Sequence, residues 1–238
     1  MSTYVLVHGA YHGAWCYAKV VPLLEAAGHT VIAVDLPGHG DNPVPREQIT
    51  LAAYVEHVCG IVDAQAEPVI LVGHSLGGMT ISQVAEERPD KIKSLVFLTA
   101  MMPKGGESRL DVSARVDDNP MVADARVPTD DGLAGTVRDA MIKPLFYGDC
   151  SDEDIAMAKA NLVPQAIEVM QAKVRLTDAR YGRVPRVYIE CLQDGAIFIK
   201  TQRQMIEAVG CEKVLTLDTS HSPFFSAPQE LADQLLSL

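Results

Sequence analysis

The chain reads as an α/β protein: a mostly parallel sheet covered by helices on both faces, with a helical cap inserted into it. Three observations predict this. Short apolar, β-branched runs alternate with helical patterns over residues 3–98 and again over 185–236, the pattern of a parallel sheet buried on both sides. A glycine-framed serine, G-x-S-x-G at 73–77, stands where one such run meets a helical one. The alternation fails between about 101 and 183, where a Pro/Gly/Asp-rich passage (MMPKGGES, DDNP, VPTDDGLAG) precedes further helical pieces.

Taken in order, strands are expected near 3–7, 30–34, 68–72, 93–98, 185–191 and 213–217. Helices are expected near 15–27, 50–65, 76–88, 199–208 and 227–236. A structureless loop as long as 101–183 is foreign to a compact domain. Helices near 134–143, 151–160 and 164–176 therefore predict a cap over the serine. The organisation expected is a core of residues 1–100 and 184–238, with 101–183 inserted as the cap.

The strand PVILV at 68–72 leads into Gly73-His74-Ser75-Leu76-Gly77-Gly78, and a helical pattern follows. This strand–turn–helix context marks a nucleophile elbow, whose glycines let strand and helix approach closely while the serine takes a strained backbone. Ser75 is the candidate nucleophile. A serine hydroxyl needs a base, and the base needs an orienting acid. His221 follows the strand VLTLD at 214–218 and is the only histidine after position 74, so it is the candidate base. The acid should end the preceding strand, RVYIEC at 186–191, which places Asp194 in the turn. Glu190 lies inside that strand, Asp218 ends the next, and Asp178 falls at the wrong end of the sheet. An acid after the strand at 94–98 is excluded, because Thr99-Ala100-Met101-Met102 holds no carboxylate. The turn His8-Gly9-Ala10 after the first strand, together with the residue after the nucleophile, predicts an oxyanion hole from the N–H groups of Ala10 and Leu76. His8, His12, His39 and His74 are expected to brace loops. Apolar side chains expected to line a substrate pocket are Tyr11, Leu145, Phe146, Tyr147, Phe198 and Phe224, with Met101, Met102 and Cys150 as further candidates.

Composition narrows the class. The 238 residues are 48% hydrophobic and 21% charged, ordinary for one globular domain that buries roughly 70–75% of its extended surface. The formal net charge is −11, which repels phosphate backbones, so no nucleic-acid partner is expected. The first strand starts at residue 3 or 4 and no 18-residue apolar run exists, so neither a signal peptide nor a membrane partner is expected. Five cysteines, odd in number and without CxxC, read as reduced thiols of a cytoplasmic protein. No ligand spacing for a metal and no G-x-G-x-x-G after a strand occurs, so neither metal nor cofactor is expected. Homodimer formation is left open.

HGAYHGAW at 8–15, VVPLLEAAGH at 20–29, AVDLPGHG at 33–40, VGHSLGG at 72–78, and D-x-A-I at 194–197 followed by Gln202 resemble the α/β-hydrolase superfamily. Within it they resemble the branch of plant methylesterases, hydroxynitrile lyases and bacterial carboxylesterases. FYGDCSDEDIAMAKANLVPQ at 146–165 resembles the cap of the bacterial members. In that branch the lyases carry threonine at the position of Gly9 and lysine after the catalytic histidine. Here Gly9 and Ser222 occupy those positions, so the resemblance implies the carboxylesterase class and does not supply the substrate; the expected activity is that of a serine carboxylesterase acting on small apolar or aromatic esters. A non-hydrolytic use of the same fold (cyanohydrin cleavage or cofactor-free dioxygenation) and a slow-turnover ligand sensor are the alternatives.

Overall fold

A computed structural model describes residues 1–117 and 119–238. Its central sheet has six strands: β1 (Thr3–Val7), β2 (Thr30–Val34), β3 (Val69–His74), β4 (Ile92–Leu98) and, beyond the insertion, two more. The insertion contributes β5 (Arg126–Pro128), β6 (Ala134–Val137) and β7 (Gln165–Ala166), and β8 (Arg186–Cys191) and β9 (Lys213–Leu217) complete the central sheet. All central pairings are parallel, in the order β2-β1-β3-β4-β8-β9. The chain runs outward from β1 to β2 and then returns to β3 on the other side of β1. The order thus reverses between β1 and β3, and a crevice opens beyond their carboxyl ends, where open α/β sheets bind ligands.

Helices α1 (Val21–Ala26), α2 (Leu51–Asp63) and α3 (Gly77–Glu87) belong to the first half of the core. The insertion holds α4 (Arg109–Arg115), α5 (Pro120–Asp124), α6 (Asp139–Phe146), α7 (Asp152–Asn161) and α8 (Ile167–Gln171). The second half adds α9 (Ile199–Val209), α10 (Pro223–Ser226) and α11 (Pro228–Leu236). The helix expected over 15–27 is two pieces, a 3₁₀ turn at Ala14–Tyr17 and α1. Pro22 lies in the first turn of α1; it lacks an N–H, so it starts a helix but does not continue one.

The sequence suggests a helical insertion, but the structure also places a small antiparallel sheet in it. The piece expected as a helix over 134–143 opens as strand β6, which pairs antiparallel with β5 and β7, and only then becomes α6. The segment 164–176 is likewise a two-residue strand followed by a short helix. Ala134-Gly135-Thr136-Val137 has no helical stop signal, and what makes it a strand is its pairing partner, a tertiary fact.

Side chains of β1 and β3 alternate between two apolar clusters, one per face of the sheet. Val5, Val7, Val69 and Leu71 join α2, α3 and Met205 of α9 on one face. Tyr4, Leu6, Ile70 and Val72 join Leu24 and α11 on the other. Insertion residues enter both: Val112, Val169, Met170 and Val174 the first, Ile142, Leu145, Phe146, Tyr147 and Ile155 the second. The insertion therefore shares the core rather than building a separate one.

Glu86 near the end of α3 ties that helix to the lead-in of β8. Its buried carboxylate accepts Thr177 N–H and Oγ1–H, both at 2.8 Å, and Tyr181 N–H at 3.1 Å. Glu86→Ala leaves these donors without a partner, and a loss of about 2–4 kcal/mol is expected in denaturant unfolding. A loss under half a kcal/mol would show that these bonds do not hold the segment.

Candidate active site

Ser75 stands between β3 and α3 with φ +52°, a left-handed conformation that costs a non-glycine residue energy unless its surroundings enforce it. The enforcement is visible. Ser75 N–H donates to Leu98 O at 3.3 Å, and Ser75 O accepts Met101 N–H at 2.9 Å and Gly78 N–H at 3.1 Å. A Cβ on Gly73 would stand 2.9 Å from Gly77 O, and one on Gly77 only 2.7 Å from His8 O. Both glycines are required for the strand, the helix and the β1 loop to meet at this point. Ser75 is half-buried while its neighbours His74 and Leu76 are buried.

His221, in the loop after β9, is 1% exposed and donates from Nδ1 to Asp194 Oδ2 at 2.6 Å. Asp194 is 4% exposed. Its Oδ1 accepts Ala196 N–H at 2.7 Å and Ile197 N–H at 2.8 Å, and its Oδ2 also accepts the Thr99 hydroxyl. The rival carboxylates are engaged elsewhere. Glu190 pairs with Arg203 at 2.9 Å and Asp218 accepts Gln193 Nε2–H at 2.9 Å. Thr99 is a site residue that sequence reasoning passed over. It occupies the turn after β4, where the sequence offers no carboxylate, and it sits at φ +35°, an uncommon conformation for a β-branched residue that no sequence signal announced.

The β1 loop lies against the nucleophile: a Cβ on Gly9 would fall 2.7 Å from Ser75 Cβ. Its carbonyls are tied off in succession. His8 Nδ1 donates to Gly9 O at 2.8 Å, His12 Nδ1 to Ala10 O at 2.7 Å, Val163 N–H to Tyr11 O at 3.0 Å, and His39 Nδ1 to His12 O at 2.6 Å. Among the described residues no acceptor takes the N–H of Ala10 or of Leu76. Two unengaged amides beside a serine are what an oxyanion needs.

The histidines expected to brace the site do so in the neutral form. Burial, with neighbouring histidines adding to it, pushes His8 and His74 well below the ordinary imidazole value. Burial alone dominates for His12, pushed down to about 3, and His39, pushed down to about 4. His74 Nε2–H donates to the backbone carbonyl of His221 at 2.8 Å, so the elbow also holds the base loop.

A narrow cavity of about 50 Å³ opens at Ser75. Of the expected lining residues, Tyr11 and Phe146 face it, together with Met101. Leu145, Tyr147, Phe198 and Phe224 do not, and that expectation is corrected. Leu145, Tyr147 and Phe224 are under 2% exposed and pack into the core, Tyr147 with its hydroxyl on His12 and Phe224 edge-on to Tyr17 and His74. Phe198 is 41% exposed at the start of α9. Large apolar side chains go first to the deepest burial available, and here that is the seam between insertion and core. Met102 and Cys150 are likewise buried outside the cavity. Arg109, Val122 and Met170 from the insertion and Ala196 and Ile197 after β8 complete the lining; the last two belong to the D-x-A-I stretch at 194–197, whereas no sequence signal singled out the other three. A larger groove of about 590 Å³ between α2, α3 and α8 holds none of Ser75, Asp194 and His221. Among the described residues no helix is long and apolar enough to cross a membrane.

Comparison with known proteins agrees with this architecture. The profile of the alpha/beta hydrolase family matches residues 4–234. The chain is 36% identical over 250 residues to methylesterase 1 of Arabidopsis thaliana, covering 99% of this chain and 95% of that protein. It is 33% identical over 250 residues to polyneuridine aldehyde esterase of Rauvolfia serpentina, covering 99% and 94%. The solved structure of a pyrethroid hydrolase from Sphingobium faniae JZ-2 superposes with a TM-score of 0.88 at 31% identity, covering 99% and 96%. This chain belongs to the alpha/beta hydrolase family, in the branch that resembles the plant methylesterases.

Proposed function

We propose that this protein is a serine carboxylesterase that hydrolyses small apolar or aromatic esters through an acyl-enzyme. The observation that carries this reading is the buried His221–Asp194 pair, whose loop is tied to the elbow by the His74–His221 bond, together with an elbow serine whose neighbouring amides, at Ala10 and Leu76, have no acceptor among the described residues. Ser75 Oγ attacks the ester carbonyl and His221 Nε2 takes its proton. Asp194, bonded to Nδ1–H, keeps Nε2 free to accept and stabilises the imidazolium that forms. The Ala10 and Leu76 amides receive the negative charge of the tetrahedral intermediate. His221 returns the proton to the leaving alkoxide, and a water deprotonated by His221 then releases the carboxylic acid.

The names of the relatives, which describe esterases, support hydrolysis. So does Gly9: a threonine there, as in the related lyases, would crowd Ser75 Cβ. The apolar lining of Tyr11, Leu76, Met101, Phe146, Met170 and Ile197 supports small apolar groups on at least one side of the ester.

Ser75→Ala is expected to lower kcat on p-nitrophenyl acetate by at least about 10⁴-fold with an unchanged circular dichroism spectrum. A clean preparation that keeps more than a few per cent of the activity would reject Ser75 as nucleophile.

Asp194→Asn favours the wrong imidazole tautomer and is expected to cost about 10³–10⁴-fold. Asp218→Asn, on the outer side of the same loop pair, should stay near wild type. Comparable losses in the two variants would put the acid elsewhere.

The neutral histidines give a pH dependence of stability. His8, His12, His39 and His74 all titrate lower in the folded chain than unfolded, so below about pH 6.5 the unfolded chain binds more protons and stability falls as pH falls. At pH 5 His12 and His39 each contribute a loss of about 2 kcal/mol, set by the unfolded value, and His8 and His74 act in the same direction. Tm measured by calorimetry should drop steeply from pH 7.5 to pH 5, and a flat profile would mean that these rings are not neutral in the folded state.

A further inference from the structure

The turn between α6 and α7 touches both loops of the candidate site although Tyr147 and Asp149 do not face its cavity. Tyr147 Oη lies 2.6 Å from His12 Nε2, and His12 Nδ1 lies 2.7 Å from Ala10 O. A carbonyl only accepts, so Nδ1 carries the ring proton. The ring is neutral in its dry surroundings, so Nε2 is bare and the Tyr147 hydroxyl donates to it. Two residues on, Asp149 accepts the N–H of Ser220 at 2.9 Å and its hydroxyl, one position before His221.

The rest of the insertion acts on the same loop. Val163 N–H donates to Tyr11 O at 3.0 Å. Gln165 donates to Tyr54 Oη at 3.2 Å, Tyr54 to His39 Nε2 at 2.8 Å, and His39 Nδ1 to His12 O at 2.6 Å. The carbonyls of residues 10, 11 and 12 are thus each held by a donor that belongs to the insertion or is braced from it. The restraint is needed, because Tyr11 sits at φ +69°, a conformation that a bulky side chain abandons unless its neighbours hold it. The two peptide planes that flank the Ala10 α-carbon are both pinned, Gly9 O by His8 and Ala10 O by His12.

We propose that Tyr147 is a positioning residue for the oxyanion hole: by orienting His12 it holds the Ala10 segment so that its N–H points at the reacting carbonyl. The insertion then sets the electrophilic geometry of the site as well as its walls. This rests on the serine esterase reading above.

The test compares wild type, Tyr147→Phe, His12→Ala and the double variant on p-nitrophenyl acetate, and follows phosphorylation of Ser75 by diethyl p-nitrophenyl phosphate. Tyr147→Phe keeps the ring and loses only the hydroxyl. Its kcat should fall about 10-fold with KM within about twofold, the scale of one hydrogen bond expressed in the transition state. Phosphorylation should slow by a similar factor, and the double variant should be no slower than His12→Ala, since both changes cut one path. An unchanged kcat, a loss confined to KM, or additive losses in the double variant overturns the proposal. If Tyr147→Phe fails to fold, His12→Ala decides it alone: a loss in kcat at constant KM supports the proposal and a loss in KM alone overturns it. A wild-type protein inert to both reagents would sink the esterase reading and this proposal together. An active wild type with an unaffected Tyr147→Phe sinks only the proposal.

Discussion

The carboxylate of Asp194 is the constraint on which the rest of the site depends. A charge buried this deeply costs several kcal/mol unless it is fully hydrogen-bonded. Here each oxygen accepts two bonds: Oδ1 from the amides of Ala196 and Ile197, Oδ2 from Thr99 and His221. The four donors come from three places in the chain: the turn after β4, the turn after β8 and the loop after β9. Satisfying this one group therefore fixes where three parallel strands must end relative to one another. The strained turn at Thr99 and the buried position of His221 follow from it.

A second constraint is the backbone of the loop after β1. Its carbonyls are consumed by donors, which leaves the Ala10 amide unengaged beside Ser75. Most of the donors are histidine rings, and this use of imidazole depends on burial. A ring that cannot afford a charge has one donor nitrogen and one acceptor nitrogen, so it transmits direction from one hydrogen bond to the next. The arrangement His8, His12, His39 and His74 is a scaffold of oriented dipoles around a single histidine, His221, that faces a carboxylate. Chemically identical side chains thus divide, by their surroundings alone, into braces and the one histidine proposed as base.

The insertion belongs to this system more than its separate place in the sequence suggests. Its apolar residues enter both clusters of the core, and its polar groups reach the β1 loop and the loop that carries His221. On the proposed reading, a segment that both walls the cavity and ties the loops of the candidate site together couples substrate preference to geometry. Changes in its packing should then reach the rate as well as the selectivity.

The sequence by itself determined the sheet and the turn at Ser75, and it singled out Ser75, Asp194 and His221 as the candidate polar residues. Strand periodicity, the glycines at 73 and 77, and the order Ser75, Asp194, His221 are local or one-dimensional signals, and local backbone chemistry enforces them. The strands and the larger core helices fall within two residues of where the alternation put them; the helix expected over 15–27, broken at residues 18–20 just ahead of Pro22, is the exception. Only the tertiary structure decided which side chains line the cavity, that Thr99 serves Asp194, and that residues 134–137 form a strand. Tyr147 and Phe224 look like pocket residues in the sequence because they are large, apolar and close to site loops. They are core residues because the seam between insertion and sheet buries them completely, whereas the short side chain of Ala196 and the flexible one of Met170 are left at the cavity wall. Burial is a property of the packed whole, and no spacing along the chain encodes how two distant segments divide a shared interior.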